Sequence, residues 1–292
     1  MILSNKEKIG EINLQSKLCF KWQGLTSFDI KIIALVLMVL DHIHYFFEFT
    51  GKIPLVFTQL GRISAPLFLF CIVEGFCHTS NKKRYFLRIY AIAVGMGLIT
   101  YLGKMFNLVR GDGFYPINGV FQSLIIVLVL LQGLYLIENH KWALGAAIIL
   151  ATFILPIFIV RRYTVRIVGK VVYFLVSTIM PLHNTVTDGG TLFIIGGMLL
   201  YIFRKNKWLQ AGVYALYCVA SELIWSWSYY GQLIFSEMFT ENFQWMMAFS
   251  AIIMLMYNGK RGKSMKNLFY IFYPAHIYIL YAASCVVYNV LH

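Results

Sequence analysis

From Phe28 onward the chain is a succession of apolar runs, most of them about twenty residues long, separated by short polar links. That length constrains the fold more than any other feature, because about 20 apolar residues cross the hydrocarbon of a bilayer as one helix. Helices also satisfy every backbone N–H and C=O within the segment, which lipid cannot do for them. The runs cover residues 28–49, 60–78, 85–105, 117–137 and 142–160, followed by shorter ones at 168–180, 191–203, 208–225, 243–257 and 268–290. They predict an all-α integral membrane protein, a polytopic bundle of about 9–10 transmembrane helices. With 60% hydrophobic and only 13% charged residues, a soluble globular fold is excluded.

The polar lead, residues 1–26, reads as a cytoplasmic segment, and residues 27–292 as a single membrane domain, since no link is long enough to hold a second core. No small-residue cleavage site follows the first run, so it reads as an uncleaved helix rather than a signal peptide. The net charge of +13 falls at helix ends rather than in an aromatic-interleaved patch, which speaks for topology and against nucleic acid. Three basic clusters, Lys82-Lys83-Arg84 with Arg88, Arg204-Lys205-Asn206-Lys207, and Lys260-Arg261-Gly262-Lys263 with Lys266, are expected on the cytoplasmic side, facing anionic headgroups of the lipid bilayer. The amino terminus is expected on the same side, in a bacterial cytoplasmic membrane. Five runs separate the first two clusters, and an odd number cannot leave both inside. The short run at 168–180, preceded by Arg161, Arg162, Arg166 and Lys170, is the segment expected not to make a full crossing. The five scattered cysteines form no CxxC pair and imply neither a disulfide framework nor a metal site.

Inside the first run sits Asp41-His42 with His44. An acid at the centre of a spanning helix costs about 2.5–3.5 kcal/mol on insertion scales, so such groups face a bundle interior and mark chemistry, transport or interhelical bonding. Lys31 lies eleven residues before His42, which puts the two within about 20° of one helix face and about 16 Å apart along the axis. A cation near one surface and a deep imidazole on one stripe suit an anionic donor that threads inward; a lysine near a helix end also snorkels. Asp41 points about 100° away from His42 and needs a partner on another helix. Arg62 has the depth for it if the first two runs form a hairpin, either as a structural clasp or as a working group.

At the other end of the second run, Glu74 and His78 face one way at the depth of Lys31. Asn118, Gln122, His183, Asp188 and Glu222 read as interhelical hydrogen bonds. The last run carries Pro274 and a further intramembrane histidine, His276, as a candidate lining residue.

Leu37-Met38-Val39-Leu40-Asp41-His42-Ile43, Leu60-Gly61-Arg62-Ile63-Ser64-Ala65-Pro66-Leu67-Phe68, Glu74-Gly75-Phe76-Cys77-His78-Thr79 and Arg84-Tyr85-Phe86-Leu87-Arg88 together resemble the TraX family of conjugal-transfer proteins. So does the carboxyl-terminal pattern Tyr257-Asn258-Gly259-Lys260-Arg261-Gly262 followed by Phe269 to His276. The resemblance implies a membrane acetyltransferase related to enzymes that O-acetylate glycans. Those relatives carry an arginine, ten intervening residues and then a catalytic histidine; at the arginine's place this chain has Lys31, which lacks the planar fork. By resemblance, cytoplasmic acetyl-CoA is the donor and no metal is needed. His42 is then the general base, with Asp41 or another carboxylate orienting it or stabilising its imidazolium. Arg62 stabilises the acyl oxygen, while Lys31, Lys82, Lys83, Arg84 and Arg88 hold the donor and His44, Glu74, His78 and His276 line the site. The acceptor, a pilin-like protein amino terminus or a glycan, stays open, as does an acetyl-histidine intermediate. Two other classes remain: a proton-coupled transporter, against which stand the absent repeats and the lack of matched broken-helix signals, and a non-catalytic part of a secretion or pilus assembly.

Overall fold

The structure is a computed structural model that describes residues 24–117, 119–160, 166–184, 189–232, 236–264 and 266–292. Most of the polar lead, Asn118, Arg161, Arg162 and Asp188 lie outside the described residues.

Among the described residues every expected run is helical and no strand forms. The helices are α1 (Ser27–Phe47), continued by a 3-10 turn at Glu48–Thr50, α2 (Val56–Gly61), α3 (Ser64–His78), α4 (Lys82–Met105), α5 (Val120–Glu138) and α6 (Trp142–Val160). Then come α7 (Arg166–Thr178), α8 (Gly190–Ile202), α9 (Lys207–Tyr230), α10 (Glu237–Thr240), a 3-10 stretch at Gln244–Phe249 running into α11 (Ser250–Leu255), and α12 (Lys266–Leu291). Among the described residues six passes are long and apolar enough to cross a membrane by themselves; α2 and α3 share one of them. That pass starts at Val56 rather than at Leu60, because Thr58 and Gln59 dilute its apolar signal while still being helical.

A capping box starts α1: the Thr26 hydroxyl accepts from the Asp29 N–H at 3.3 Å and the Asp29 carboxylate accepts from the Thr26 N–H at 2.8 Å. The next donors of that first turn go further afield. The Ser27 and Phe28 N–H groups donate to the carbonyls of Lys260 and Arg261 at 2.8 and 3.1 Å, and Leu25 exchanges bonds with Met256 and Asn258. Gly262, at φ +69°, lies so close to Thr26 that a side chain there would collide with it. The third basic cluster is thereby fixed beside the start of the first helix. The other two clusters lie at the same end, since Glu138, at the end of α5, holds Arg204 at 2.7 Å and the Lys82 ammonium sits 4.4 Å from the Tyr135 ring.

The parity problem resolves through α7 and α8. As α4 runs away from the basic end, its contacts run backward along α7: Tyr90 bonds the Ile179 carbonyl at 2.9 Å, whereas Tyr101 packs on Tyr173 and Phe174. Helix α7 thus runs from the far end inward, and thirteen residues carry it only about 20 Å. Helix α8 continues toward the basic end, where Tyr201 and Arg204 meet Glu138. The two half-helices make one broken pass in place of two, so the three clusters share a side.

The outside of the bundle is apolar in the manner of a surface solvated by lipid, with Leu98, Leu150, Ile157, Leu216 and Val286 exposed. Trp142 and Trp208 mark one rim and Trp225, Trp227 and Tyr229 the other, as in interfacial aromatic belts. Helices α5 and α6 pack most closely at Gly133 and Gly145, where either Cβ would press on the opposite backbone carbonyl.

Candidate active site

One stripe of α1, Lys31, Leu35, Met38, His42 and Tyr45, lines a cavity of about 1350 Å³, which exceeds the usual range of about 300–1,000 Å³ for small-ligand sites. Its walls come from α1, the end of α2, α3, α4, α5, α8, α9, the 241–264 stretch and α12. The sequence spacing that put Lys31 and His42 on one face holds, because an uninterrupted helix joins them.

His42 meets its partner on the last helix. Its Nδ1 lies 2.6 Å from His276 Nε2, with the rings near parallel and their centroids 4.8 Å apart. The other nitrogen of His276, Nδ1, lies 2.9 Å from the Phe272 carbonyl, one turn earlier in α12. Pro274 leaves the Tyr270 carbonyl without its helical donor, but the carbonyl that His276 uses is that of Phe272. Tyr45, Phe46 and Tyr273 surround His42 at ring distances of 6.1–6.4 Å, and both histidines are buried.

Asp41 also lines the cavity, together with Gly61 and Arg62, but its hydrogen bonds go to the α2–α3 kink. It accepts from the Thr58 hydroxyl at 2.8 Å and from Arg62 at 3.5 Å, while Arg62 also donates to the Thr58 hydroxyl at 2.6 Å and to the Thr58 carbonyl at 3.3 Å. Gly61 makes this possible, for a Cβ there would fall inside the Asp41 side chain. The structure therefore brings Asp41 to Arg62 and His42 to His276, without a direct Asp41–His42 bond. Thr58 is the member that the sequence reading missed; a hydroxyl three residues before a glycine, outside the apolar run, gives no signal by itself.

At the basic end Glu74 pairs with His78 at 3.6 Å, and both line the cavity together with Tyr257. Lys31 lies over the Phe269 ring at 5.7 Å, and the ion pairs among the described residues do not join it to Glu74. Of the first basic cluster only Arg88 lines the cavity. Lys82 is turned onto Phe76 and Tyr135, and Lys83 and Arg84 lie outside the lining. Two residues assigned to topology by sequence, Arg261 and Lys263, do line it. His44 is buried but outside the lining.

The part of the cavity toward the far end is different in character. Glu222, buried in α9, accepts a hydrogen bond from Asn242, and Glu241, Trp225 and Tyr230 complete that chamber. Gln122, by contrast, donates to the Ser177 carbonyl at 2.5 Å and His183 meets the Thr191 hydroxyl at 2.8 Å; these two knit helices together, as their isolation in the sequence suggested.

A sequence model described as TraX protein matches residues 27–284. The chain belongs to the TraX family. The matched region runs from the first residue of α1 through most of α12, so both halves of the histidine pair fall within TraX sequence, as do the Ser27 and Phe28 N–H groups and the Lys260 and Arg261 carbonyls they bond. The chain is also 34% identical over 70 residues, 24% of its own length, to the "Probable fimbrial assembly protein FimC, serogroup H1" of Dichelobacter nodosus, and that match spans 29% of the relative. No solved structure matches this TraX protein.

Proposed function

We propose that this TraX-family protein is a membrane-embedded acyltransferase that moves an acetyl group from cytoplasmic acetyl-CoA to an amine or hydroxyl of an exported acceptor. The observation that carries this reading is the position of His42: on the wall of a large cavity, between a basic mouth and a chamber of opposite character. Lys31, Arg88, Arg261 and Lys263 suit the phosphates of a coenzyme A donor. Glu222, Glu241, Asn242 and Trp225 suit an uncharged or cationic acceptor and repel an anionic one. With the basic end on the cytoplasmic side of the cytoplasmic membrane, donor and acceptor reach His42 from opposite faces.

In the chemical step the acceptor nitrogen or oxygen attacks the thioester carbon and gives its proton to His42. The carbon–sulfur bond then breaks, and coenzyme A leaves as a thiolate that takes the proton from the His42 imidazolium, which yields the thiol and restores neutral His42. Arg62, held by Thr58 and Asp41, is the cation available for the developing oxyanion. Asp41 acts through Arg62 in this geometry rather than by orienting the imidazole. The fimbrial-assembly name of the Dichelobacter nodosus relative favours a pilus component as acceptor.

The broken α7–α8 pass supports a second reading, a proton-coupled carrier, because Gly189 and Gly190 at the start of α8 reach the cavity. One assay separates the two: coenzyme A release from acetyl-CoA by protein in lipid nanodiscs, given a membrane extract as acceptor, wild type beside His42→Ala. Release that requires both the extract and His42 supports the transferase. Absence of release by the wild type, with no binding of acetyl-CoA, moves the assignment to the carrier.

A further inference from the structure

We infer that His276 is a positioning residue that fixes the tautomer of His42, directing the basic lone pair of His42 to Nε2. The inference deepens the transferase reading and rests on it for its catalytic meaning, but the tautomer itself follows from hydrogen-bond directions alone.

The argument begins at a backbone oxygen. A carbonyl only accepts, so the 2.9 Å contact between His276 Nδ1 and the Phe272 carbonyl places a hydrogen on Nδ1. A neutral imidazole carries one N–H, and His276 Nε2 is therefore the bare, accepting nitrogen. That atom lies 2.6 Å from His42 Nδ1, which must then donate. With its hydrogen on Nδ1, neutral His42 keeps its lone pair on Nε2.

The direction of proton traffic is thus set from α12, one helix removed from the reacting groups. His276 does not line the cavity, whereas His42 does, so His276 acts on the acceptor only through its neighbour. The order carbonyl, imidazole, imidazole gives the function that a carboxylate provides in a serine-hydrolase triad, orientation and tautomer choice, with no charge added in the low-dielectric interior. It also explains why Asp41, adjacent in sequence, is spent on Thr58 and Arg62. The lone pair chosen is the one that accepts the acceptor's proton as the thioester is attacked, and the imidazolium formed has N–H on both nitrogens, with Nδ1–H still bonded to His276.

Histidine-selective ¹⁵N spectroscopy of the protein in lipid, with His42 assigned by its loss in His42→Ala, tests this directly. The expected wild-type spectrum has His42 protonated on Nδ1 and bare on Nε2. His276→Gln, whose carboxamide can accept from His42 and donate to Phe272, retains that tautomer and keeps acyl transfer within about 10-fold of wild type. His276→Leu mixes the tautomers and lowers transfer by about 100-fold or more, the scale of a general base in the wrong state. A His42 protonated on Nε2 in the wild type overturns the inference whatever the activity. So does a folded His276→Leu with wild-type tautomer and rate. If the wild type transfers no acyl group yet shows the Nδ1–H form, and His276→Leu loses it, the tautomer assignment stands and the transferase reading falls.

Discussion

The Phe46 carbonyl, in the last turn of α1, accepts a hydrogen bond from the buried guanidinium of Arg110 at 2.8 Å. That arginine also holds Asp112 at 2.7 Å and lies between the rings of Phe49 and Phe114, 4.4 and 4.3 Å from their centroids. It closes the far end of the bundle by capping α1 and tying it to the α4–α5 link. Replacing Arg110 by Ala is expected to cost about 1.5–3 kcal/mol, the range for hydrogen bonds to a charged group. A lower unfolding midpoint in detergent, with donor binding intact, is the measurement that checks it.

Asp112 lies in that link, outside the spanning helices, and its hydrogen bonds from Arg110 hold its carboxyl below the usual aspartate range. A depressed folded value means that the contribution is complete above the unfolded value of about 3.9 and disappears as the pH falls through the folded one. Unfolding midpoints taken from neutral pH down to about 3 should therefore fall less steeply in Asp112→Asn than in the wild type. Parallel curves for the two proteins contradict the assignment.

Gly61→Ala is expected to push α2 off α1, because the new methyl group overlaps the Asp41 side chain. Overpacking of this kind costs about 1–3 kcal/mol. Loss of the Thr58 and Arg62 contacts should follow, visible as lowered thermal stability together with lowered transfer. A Gly61→Ala protein with wild-type stability shows that the kink relaxes freely.

How far the sequence could foresee this arrangement depended on whether a partner was local. Helical period alone placed Lys31 and His42 on one stripe, and hairpin geometry placed Arg62 at the depth of Asp41. Both survive because each concerns one helix or two consecutive ones. The clash between charge clusters even singled out the segment that became α7. Distant partners were another matter. The pairing of His42 with His276, and the placement of Arg261 and Lys263 at the mouth, depend on how residues 256–262 dock on residues 24–28. No periodicity within either segment encodes that docking, so Arg261 and Lys263 looked like topology signals alone.

At the mouth, Arg261→Ala and Lys263→Ala should each raise KM for acetyl-CoA about 5- to 10-fold with kcat little changed, the signature of lost ground-state binding worth about 1–1.4 kcal/mol. Lys83→Ala, outside the lining, is the control and should leave KM where it was. Equal effects of all three would mean that long-range charge rather than contact attracts the donor.

Glu222→Gln preserves shape and the Asn242 neighbour while removing the charge from the far chamber. The expected outcome is a raised KM for the acceptor and unchanged affinity for acetyl-CoA, read by varying each substrate in turn. A change confined to the donor places the two chambers the other way round.

The two imidazoles of the buried pair are 234 residues apart in the chain. At about 5–20 residues per second, a ribosome needs some tens of seconds to travel from one to the other. Throughout that interval α1 stands in the membrane with its Asp-His step, awaiting both the helix that orients the imidazole and the 256–262 segment that caps its first turn. On the transferase reading, a nascent or carboxyl-terminally truncated chain lacks both partners at once, and the first helix gains them only when the last helix docks against it.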